Sequence, residues 1–549
     1  MTENDPPEKK PQTGESPEPE ASAGPSLTGE ASLPAGGGKP AAAEQGAEPE
    51  PATGEAPESD VIASAAEQRR KDRRLRELAE RYRDIQEPLP AADPDRPATW
   101  QQDIFTTSAW HRHLVFFIAA MALATAALWF YYAAETAELY LDFLHTEYPW
   151  LLFILLPLGF MAITVMRDKG FPGTQGTGIP QTIASLRMRP DLRDTVLSFR
   201  IAIGKVFLTT LGLFSGASIG REGPSVHVGA CFMHICQRFA RFPKNLTDRG
   251  LILGGGAAGI AASFNAPFAG IVFACEEIGR SFEKENMGTI IRTVAIACLA
   301  VIAALNDNYL FYGTVKTSLF EPWQWLIAIP VIGIIGGFLG GCFSQLLKLT
   351  MPIVARIARQ HGLKVAATIG LVLAGVAMIS GGESIGSGFL DARAILQGED
   401  AHLSPLYPFY RALVTFITLL SGIPGGLFDP TLSTGAGLGK NMVPIFELIG
   451  PINPEAVVMM AMVAYFTGVV QSPITSMVIM VEMTAAVTMS LPLLAVAIIA
   501  YEVSRKICPT SLYESIADEF LAARRQQLAE EEKARQKASQ HLHESGGGI

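Results

Sequence analysis

Long apolar runs dominate the chain between about residue 105 and residue 515, with few polar interruptions. A helix that crosses a bilayer needs roughly 20 apolar residues. Runs of spanning length begin at about His113, Tyr148, Phe199, Gly288, Trp323, Leu363, Tyr407 and Ser490. A soluble core interrupts its apolar runs far more often. The pattern therefore predicts an all-α polytopic membrane protein.

Shorter apolar pieces, broken by Gly and Pro, lie between the long runs. They cover residues 178–187, 224–240, 250–262, 265–279, 430–448, 455–468 and 472–485. Irregular backbone at membrane depth is tolerated only where it is buried in protein or lines a cavity. In transporters with inverted repeats, such broken helices form the substrate site. We therefore expect many tilted and broken helices around a central site.

Two helix starts resemble each other. Ser215–Pro224 and Ser421–Pro430 are small-residue stretches that end in Pro, where an apolar helix begins. Pro is well tolerated in the first turn of a helix. The two stretches lie about 206 residues apart, which suits two halves of a membrane domain of about 410 residues. The spacing predicts an internal repeat.

Composition changes sharply outside the apolar region. Residues 1–60 hold thirteen acidic and three basic side chains, which leaves the remainder of the chain close to neutral. We expect a disordered acidic tail, rich in Pro, Glu and Gly, over residues 1–65. Residues 66–105 suggest a basic amphipathic cytoplasmic segment, with a solvated charged helix as the alternative. A transmembrane domain over 106–520 and a charged cytoplasmic tail over 521–549 complete the predicted organisation.

Charge and cysteine usage exclude several classes of protein. The basic footprint of a nucleic-acid-binding protein is absent. The six cysteines lie in or beside apolar stretches without a CxxC pair, so we expect apolar filler and no metal site. Basic residues flank the apolar region at 69–83 and at 505–525. The positive-inside rule then predicts a multi-pass protein of the cell membrane, surrounded by lipid, with both termini in the cytoplasm.

Three glycine-containing stretches each precede a helix with Pro in its first turn. They are Gly176-Thr177-Gly178-Ile179-Pro180, Gly220-Arg221-Glu222-Gly223-Pro224 and Gly426-Leu427-Phe428-Asp429-Pro430. The first amides of a helix lack intrahelical partners and carry the positive end of its dipole. Three such termini that converge inside a membrane would bind an anion without a full cation. A site without a Lys or Arg also permits release, because a full positive charge there would bind the anion too tightly.

The three stretches resemble the GSGIP, GREGP and GxFxP signatures of the CLC family of chloride channels and proton/chloride antiporters. The run Gly254–Pro267 is also similar to a family segment, and the resemblance covers roughly residues 110–520. It implies a CLC-like fold of two inverted-topology repeats and a homodimer with one pore per subunit. It also implies chloride and protons as transported ions, without a cofactor. The stretch after Tyr513 is about 36 residues, so we expect a prokaryote-like member that lacks C-terminal CBS domains.

The resemblance assigns proton transfer and gating to two carboxylates. Glu222 matches the gating glutamate, which occupies the anion site when ionised and swings away when protonated. Glu277 matches the cytoplasmic proton acceptor of the exchangers, with a solvated helix end as the alternative for Glu276 and Glu277. Because many channels of the family lack this second glutamate, Glu277 is the main residue that favours exchange over passive flow.

Four residues are implied to bind chloride: Thr177, Leu427, Phe428 and Tyr513. Thr177 stands where the signature has Ser; its hydroxyl can still donate to an anion, but its methyl leaves the choice among chloride, nitrate and larger anions open. Leu427 and Phe428 would offer backbone amides. Tyr513 would offer its hydroxyl, although residue type alone indicates a tyrosine of the membrane interface. Asp429 would repel an anion, so we expect it to point away from the pore.

The leading hypothesis is a proton-coupled chloride antiporter. A passive anion channel on the same fold, or an exchanger that prefers another anion such as nitrate, is the alternative. An intramembrane enzyme with a Ser–His dyad is conceivable, because His227 and His234 lie near Ser215, Ser218 and Ser225 in the chain. However, neither an HExxH motif nor another zinc-ligand spacing is present. We therefore predict no catalytic residue and no enzymatic activity.

Overall fold

The computed structural model describes residues 107–240, 242, 248–281, 284–305, 311–315, 322–399, 403–448 and 450–527. Helices and short connections make up these parts, and an isolated bridge between Gly220 and Gly426 is the β-type pairing found within them. The predicted segments 1–65 and 66–105, and most of 521–549, lie outside the described residues. Our expectations for them stay predictions.

The first half of the described chain runs from α1 to α9. The helices are α1 Thr107–Glu147, α2 Leu152–Val165, α3 Ile179–Arg187, α4 Pro190–Arg193, α5 Phe199–Phe214, α6 Glu222–Ile235, α7 Asp248–Phe264, α8 Pro267–Phe273 and α9 Lys284–Leu305. A π-helical turn, Ala274–Ile278, extends α8.

The second half begins with α10 Pro322–Ile379, which is two helices joined at the non-helical residue His361. There follow α11 Phe389–Leu396, α12 Tyr407–Leu420, α13 Phe428–Glu447, α14 Pro454–Val470, α15 Pro473–Thr484 and α16 Ser490–Ile507. The last described helix, α17, covers residues 512–527.

Five of the described helices are long and apolar enough to cross a membrane: Trp110–Glu147, Pro149–Gly170, Lys284–Leu305, Trp323–Ile379 and Val487–Ile507. Large apolar side chains on these helices, such as Leu299, Leu326 and Leu491, are 66–78% exposed. Such a surface suits lipid. The protein is therefore a multi-pass membrane protein, as the hydropathy pattern predicted.

Two predicted spanning runs are shorter in the structure than in the sequence pattern. The helices that begin at Phe199 and Tyr407 have 16 and 14 residues, which is less than the roughly 20 needed to cross a bilayer. The apolar sequence continues, but Gly216 and Gly422 follow two residues after each helix with φ of 81° and 67°. This left-handed conformation ends a helix, and a hydropathy window does not detect it.

The two halves repeat each other at the predicted spacing. Helices α7 and α14 both have 17 residues and begin at Asp248 and Pro454, 206 positions apart. Each is followed by a non-glycine residue with positive φ, Asn265 at 50° and Gln471 at 64°, again 206 positions apart. Equivalent turns at equivalent positions confirm the internal repeat.

Helices α8 and α15 show that the repeats have opposite topology. The Glu276 carboxylate, just after α8, accepts the backbone amides of Ile474 and Thr475 at 3.1 and 2.7 Å. Glu482, near the end of α15, accepts the backbone amides of Phe268 and Ala269 at 3.1 and 2.7 Å. Each helix thus has its N-terminus capped by a carboxylate from the end of the other. The pair is therefore antiparallel.

Candidate functional site

The three glycine-containing helix starts meet inside the described fold. Gly220 and Gly426 exchange backbone hydrogen bonds of 2.8 and 2.6 Å. Gly425 donates its amide to the Gly176 carbonyl at 3.3 Å, and Gly176 donates to the Gly422 carbonyl at 3.4 Å. The starts of α3, α6 and α13 therefore form one cluster, as the convergence hypothesis expected.

Glycine is required where these starts touch. A Cβ on Gly223 would lie 2.9 Å from the Thr177 carbonyl oxygen and 3.3 Å from Gly426 Cα. Gly178 has a φ of 101°, and a Cβ there would lie 2.6 Å from the His227 Cβ. Larger residues at these positions would force the helix starts apart.

The buried hydroxyls that have no partner among the described residues include Thr177 Oγ1 and Tyr513 Oη near this cluster. Buried polar groups are normally hydrogen-bonded, and a hydroxyl donor without an acceptor can bind an anion. The residues predicted to offer amides, Leu427 and Phe428, occupy the N-cap and the first position of α13 and are buried. The donor set fits chloride as a substrate.

Aromatic packing brings Tyr513 to this site. Its ring lies 6.4 Å from that of Phe428, which also packs against Phe264, Phe273 and Phe466. Tyr513 is fully buried. A membrane-interface role, which residue type alone suggested, is therefore wrong.

Glu222 is buried at the first position of α6 and faces the start of α13. A Cβ on Gly220 would lie 2.3 Å from Glu222 Oε2 and 3.3 Å from the Asp429 amide nitrogen. No donor group among the described residues forms a hydrogen bond to either Glu222 carboxylate oxygen. The carboxylate thus lies at the positive end of α13 without a fixed partner.

One guanidinium accompanies this carboxylate. Arg221 Nε lies 3.8 Å from Glu222 Oε1, which is beyond hydrogen-bond distance. The Arg221 guanidinium carbon lies 4.9, 4.8 and 5.6 Å from the ring centroids of Tyr131, Phe311 and Phe389. These cation–π contacts hold the Arg221 guanidinium beside the Glu222 carboxylate.

Asp429 does not point away from the site, contrary to our expectation. Its buried carboxyl lies close enough to that of Glu222 for a hydrogen bond if one of the two carries a proton. The reason is tertiary. The Gly220–Gly426 bridge places the first turns of α6 and α13 side by side, and Asp429 lies in the first turn of α13.

Glu277 lies in the π-helical turn after α8 and is only 1% exposed. Ser472 Oγ donates to its carboxylate at 2.7 Å, and Arg280 lies 3.8 Å away. It lines a cavity of about 560 Å³ together with Arg280, Arg505 and Glu514. Glu277 is therefore a buried carboxylate beside a polar cavity and not a solvated helix end.

Two cations that we did not single out in the sequence hold the loops in place. Lys205, fully buried in α5, donates to the Thr174 and Gly176 carbonyls at 2.9 and 2.6 Å. Arg167 donates to the Gly422 carbonyl at 2.9 Å. Lys205 could have been noticed in the sequence as a single lysine inside an apolar run, because a buried lysine needs hydrogen-bond partners.

The Ser–His dyad considered from the sequence does not form. His227 Nε2 lies 3.1 Å from the Val196 carbonyl oxygen, and Ser225 donates to the Arg221 carbonyl. His234 contacts the carboxylates of Asp194 and Asp248 at 3.0 and 2.7 Å. Neither histidine pairs with a serine nucleophile.

A family model described as voltage gated chloride channel matches residues 158–505. The chain belongs to the voltage-gated chloride channel family. The CLC resemblance noted in the sequence is thereby confirmed. Members of this family transport ions, which agrees with a site built from helix starts and orphaned hydroxyls.

Curated relatives extend over most of the chain. The H(+)/Cl(-) exchange transporter ClcA of Yersinia pestis bv. Antiqua (strain Angola) is 28% identical over 394 residues, which cover 68% of this chain and 80% of the relative. The protein of the same name from Salmonella paratyphi C (strain RKS4594) is 29% identical over 406 residues, which cover 70% and 83%.

Solved structures share the fold. A slow cyanobacterial Cl⁻/H⁺ antiporter matches with a TM-score of 0.62 at 20% identity, over 75% of this chain and 97% of the other. A CLC-type fluoride/proton antiporter matches with a TM-score of 0.62 at 20% identity, over 75% and 98%. The all-α CLC fold predicted from the sequence is confirmed.

Proposed function

We propose that the protein is a proton-coupled chloride antiporter in which Glu222 couples the two ions. The observation that carries this proposal is the position of the Glu222 carboxylate, which lies at the start of α13 without a hydrogen-bond donor among the described residues. An anionic side chain there can compete with a transported anion. Relatives named H(+)/Cl(-) exchange transporter support the same function.

The anion would bind between hydroxyls and helix starts. Thr177 and Tyr513 would donate their orphaned hydroxyls, and Leu427 and Phe428 their backbone amides, to a chloride near the α13 terminus. The nearby cations are engaged elsewhere, Lys205 by carbonyls and Arg221 by aromatic rings. Partial charges would therefore do most of the binding, which permits release.

The proton would reach the site through Glu222 and leave through Glu277. Protonation neutralises Glu222, which can then leave the α13 terminus and make room for chloride. Tyr513 interacts electrostatically with both Glu222 and Glu277. The cavity beside Glu277 would connect this carboxylate with cytoplasmic water, and its Arg280 and Arg505 suit the cytoplasmic side.

The assembly and placement follow from the same proposal. We expect both termini in the cytoplasm of a cell membrane, because basic residues flank the apolar region at both ends. We also expect a homodimer with one pore per subunit, as the family resemblance implies. No further cofactor is needed, since the transported ions are the only reactants.

Two alternatives share the fold. A passive anion channel would use the same helix starts without Glu277, and the contacts of Glu277 with Ser472 and the polar cavity favour exchange over it. An exchanger for another anion is favoured by one specific feature, Thr177, whose methyl changes the volume around the donor hydroxyl. Similarity to a fluoride/proton antiporter is consistent with that range of anions.

Ion flux in liposomes tests the proposal. Purified protein under a chloride gradient should move protons against their own gradient. The Glu222→Gln variant should lose proton movement and keep anion flux, because neutral Gln cannot carry a proton. Glu277→Gln should behave similarly. Glu482→Gln, at a half-buried carboxylate whose oxygens cap α8, is the matched control and should keep both fluxes.

Chloride flux without coupled proton movement in the unaltered protein would refute exchange and leave the channel. Parallel flux of chloride, nitrate and fluoride separates the anion alternatives. If nitrate or fluoride moves faster than chloride at equal gradients, chloride is not the preferred substrate.

A further inference from the structure

A second carboxyl group lies beside the gate. Asp429 and Glu222 are 1% and 0% exposed, and their carboxyls are close enough for a direct hydrogen bond. Two ionised carboxylates have no donor between them, so this contact requires a proton on one of the two. Asp429 Oδ1 and both Glu222 oxygens receive no hydrogen bond from the other described residues.

The backbone enforces this contact. Gly220 and Gly426 form the bridge at 2.8 and 2.6 Å, and each lies two or three residues before one of the carboxyls. The two glycine backbones are in close contact: a Cβ on Gly426 would lie only 3.0 Å from the Gly220 carbonyl oxygen. The two side chains therefore cannot separate unless one of them swings out of the site.

The surrounding charges favour one shared proton. Arg221 supplies one positive charge next to the pair. Within the described part of the chain, the phenols of Tyr312 and Tyr513 and the Glu138 carboxyl also interact electrostatically with a member of this pair. One guanidinium offsets one carboxylate, and a second negative charge in this dry setting is costly. Such a pair loses its protons in two separate steps that belong to the pair.

We propose that Asp429 is a second proton-holding residue of the gate and shares one proton with Glu222. The proposal rests on the gating role of Glu222 and adds a residue to it. When Glu222 is ionised and occupies the anion site, the proton stays on Asp429. The proton then passes from the Asp429 carboxyl oxygen to the Glu222 carboxylate oxygen, and neutral Glu222 leaves. Asp429 regains a proton from water on the open side.

The pH dependence of anion flux tests this proposal. Asp429→Asn keeps the size of the side chain but removes its charge and its titration. The substitution removes a like charge from beside Glu222, so the midpoint of the flux profile should move by about 1 pH unit toward acid. Asp429→Glu should restore the original midpoint. Glu482→Gln should leave it in place.

A double variant tests whether Asp429 acts through Glu222. Glu222→Gln and Glu222→Gln/Asp429→Asn should give the same nearly flat profile, because the partner of Asp429 is then gone. An unchanged midpoint in Asp429→Asn would overturn the proposal, as would a further change of profile in the double variant. If Asp429→Asn fails to fold, Asp429→Ser provides the same measurement.

Failure of the proposed exchange remains distinguishable. If the unaltered protein moves chloride without protons but Asp429→Asn still shifts the flux midpoint, exchange is refuted and the shared proton stands. If the unaltered protein couples protons to chloride but the midpoint of Asp429→Asn does not move, exchange stands and the shared proton is refuted.

Discussion

The loop before α3 and the loop before α11 each contain two glycines with positive φ, one residue apart. Gly176 and Gly178 have φ of 66° and 101°, and Gly386 and Gly388 have 71° and 77°. Each loop places a hydroxyl residue between its two glycines and then begins a helix. They are counterparts in the two repeats.

Their side chains differ in what they contact. Thr177, in the first loop, leaves its hydroxyl without a partner among the described residues. Ser387, in the second, donates to Glu138 from α1, and the same carboxylate accepts the Phe389 and Leu390 amides at 3.3 Å. One helix start is thus open to an anion, whereas its repeat counterpart is closed by the protein's own carboxylate. A similar loop in the two repeats can therefore leave a donor open to an anion in one half and bind the protein's own carboxylate in the other.

Alanine at Gly178 or Gly388 disturbs the positive-φ glycine that both loops share. These two substitutions should have the largest effect on stability. A Cβ on Gly388 would lie 2.4 Å from Ser433 Oγ and 2.8 Å from Arg411 Cζ. Left-handed strain and overpacking together should cost about 3 kcal/mol or more. We expect little monodisperse protein by size-exclusion chromatography. Gly375→Ala, at a position with nothing within 4 Å, is the control, and equal yields from all three would contradict a required glycine.

Glu138→Ala should destabilise the loop before α11, because it removes the carboxylate that closes this loop. It removes the acceptor of the Ser387 hydroxyl and of the Leu390 amide, whereas the Phe389 amide can still donate to Ser387 Oγ at 3.2 Å. The loss should destabilise the protein by about 2–3 kcal/mol. Thr177→Ala is the matched comparison and should change stability by less than about 1 kcal/mol, because its hydroxyl makes no hydrogen bond to lose. The thermal midpoints in detergent measure both. Equal midpoints for the two variants would show that the loops do not differ as described.

Chloride affinity should depend on the first loop more than on the second, which is the opposite of the order expected for stability. Thr177→Ala removes a donor to the anion and should weaken chloride affinity by roughly tenfold, which corresponds to about 1.4 kcal/mol. Ser387→Ala should leave chloride affinity unchanged, because Ser387 serves Glu138. Chloride binding by calorimetry separates them. A similar loss in both variants would argue against Thr177 as an anion ligand.

The smallest effect should come from Thr177→Ser, which keeps the hydroxyl and removes only a methyl. We expect the ratio of chloride to nitrate flux to change by less than about tenfold, since one methyl contributes about 1 kcal/mol. Flux of both anions in the same liposome preparation measures this ratio. A change of several hundredfold would mean that the methyl, and not the hydroxyl, dominates selectivity.

Much of the fold was predictable because it depends on local sequence. The apolar piece 250–262 became α7, Asp248–Phe264, and the piece 455–468 became α14, Pro454–Val470. Glycine before a first-turn proline also marked the starts of α3, α6 and α13. The lengths of α5 and α12 were overestimated, since hydropathy does not register the positive φ of Gly216 and Gly422.

Hydropathy and glycine conformation are properties of neighbouring residues, so the order of residues along the chain was enough to predict a polytopic membrane protein with repeated, glycine-led helix starts. Which donors remain without a partner depends instead on contacts made in the folded protein. Gly176, Gly220 and Gly426 meet across the repeats, Glu138 closes one loop, and Asp429 faces Glu222. Each of these contacts joins residues far apart in the chain, and burial makes an unpaired donor or a second carboxylate energetically important.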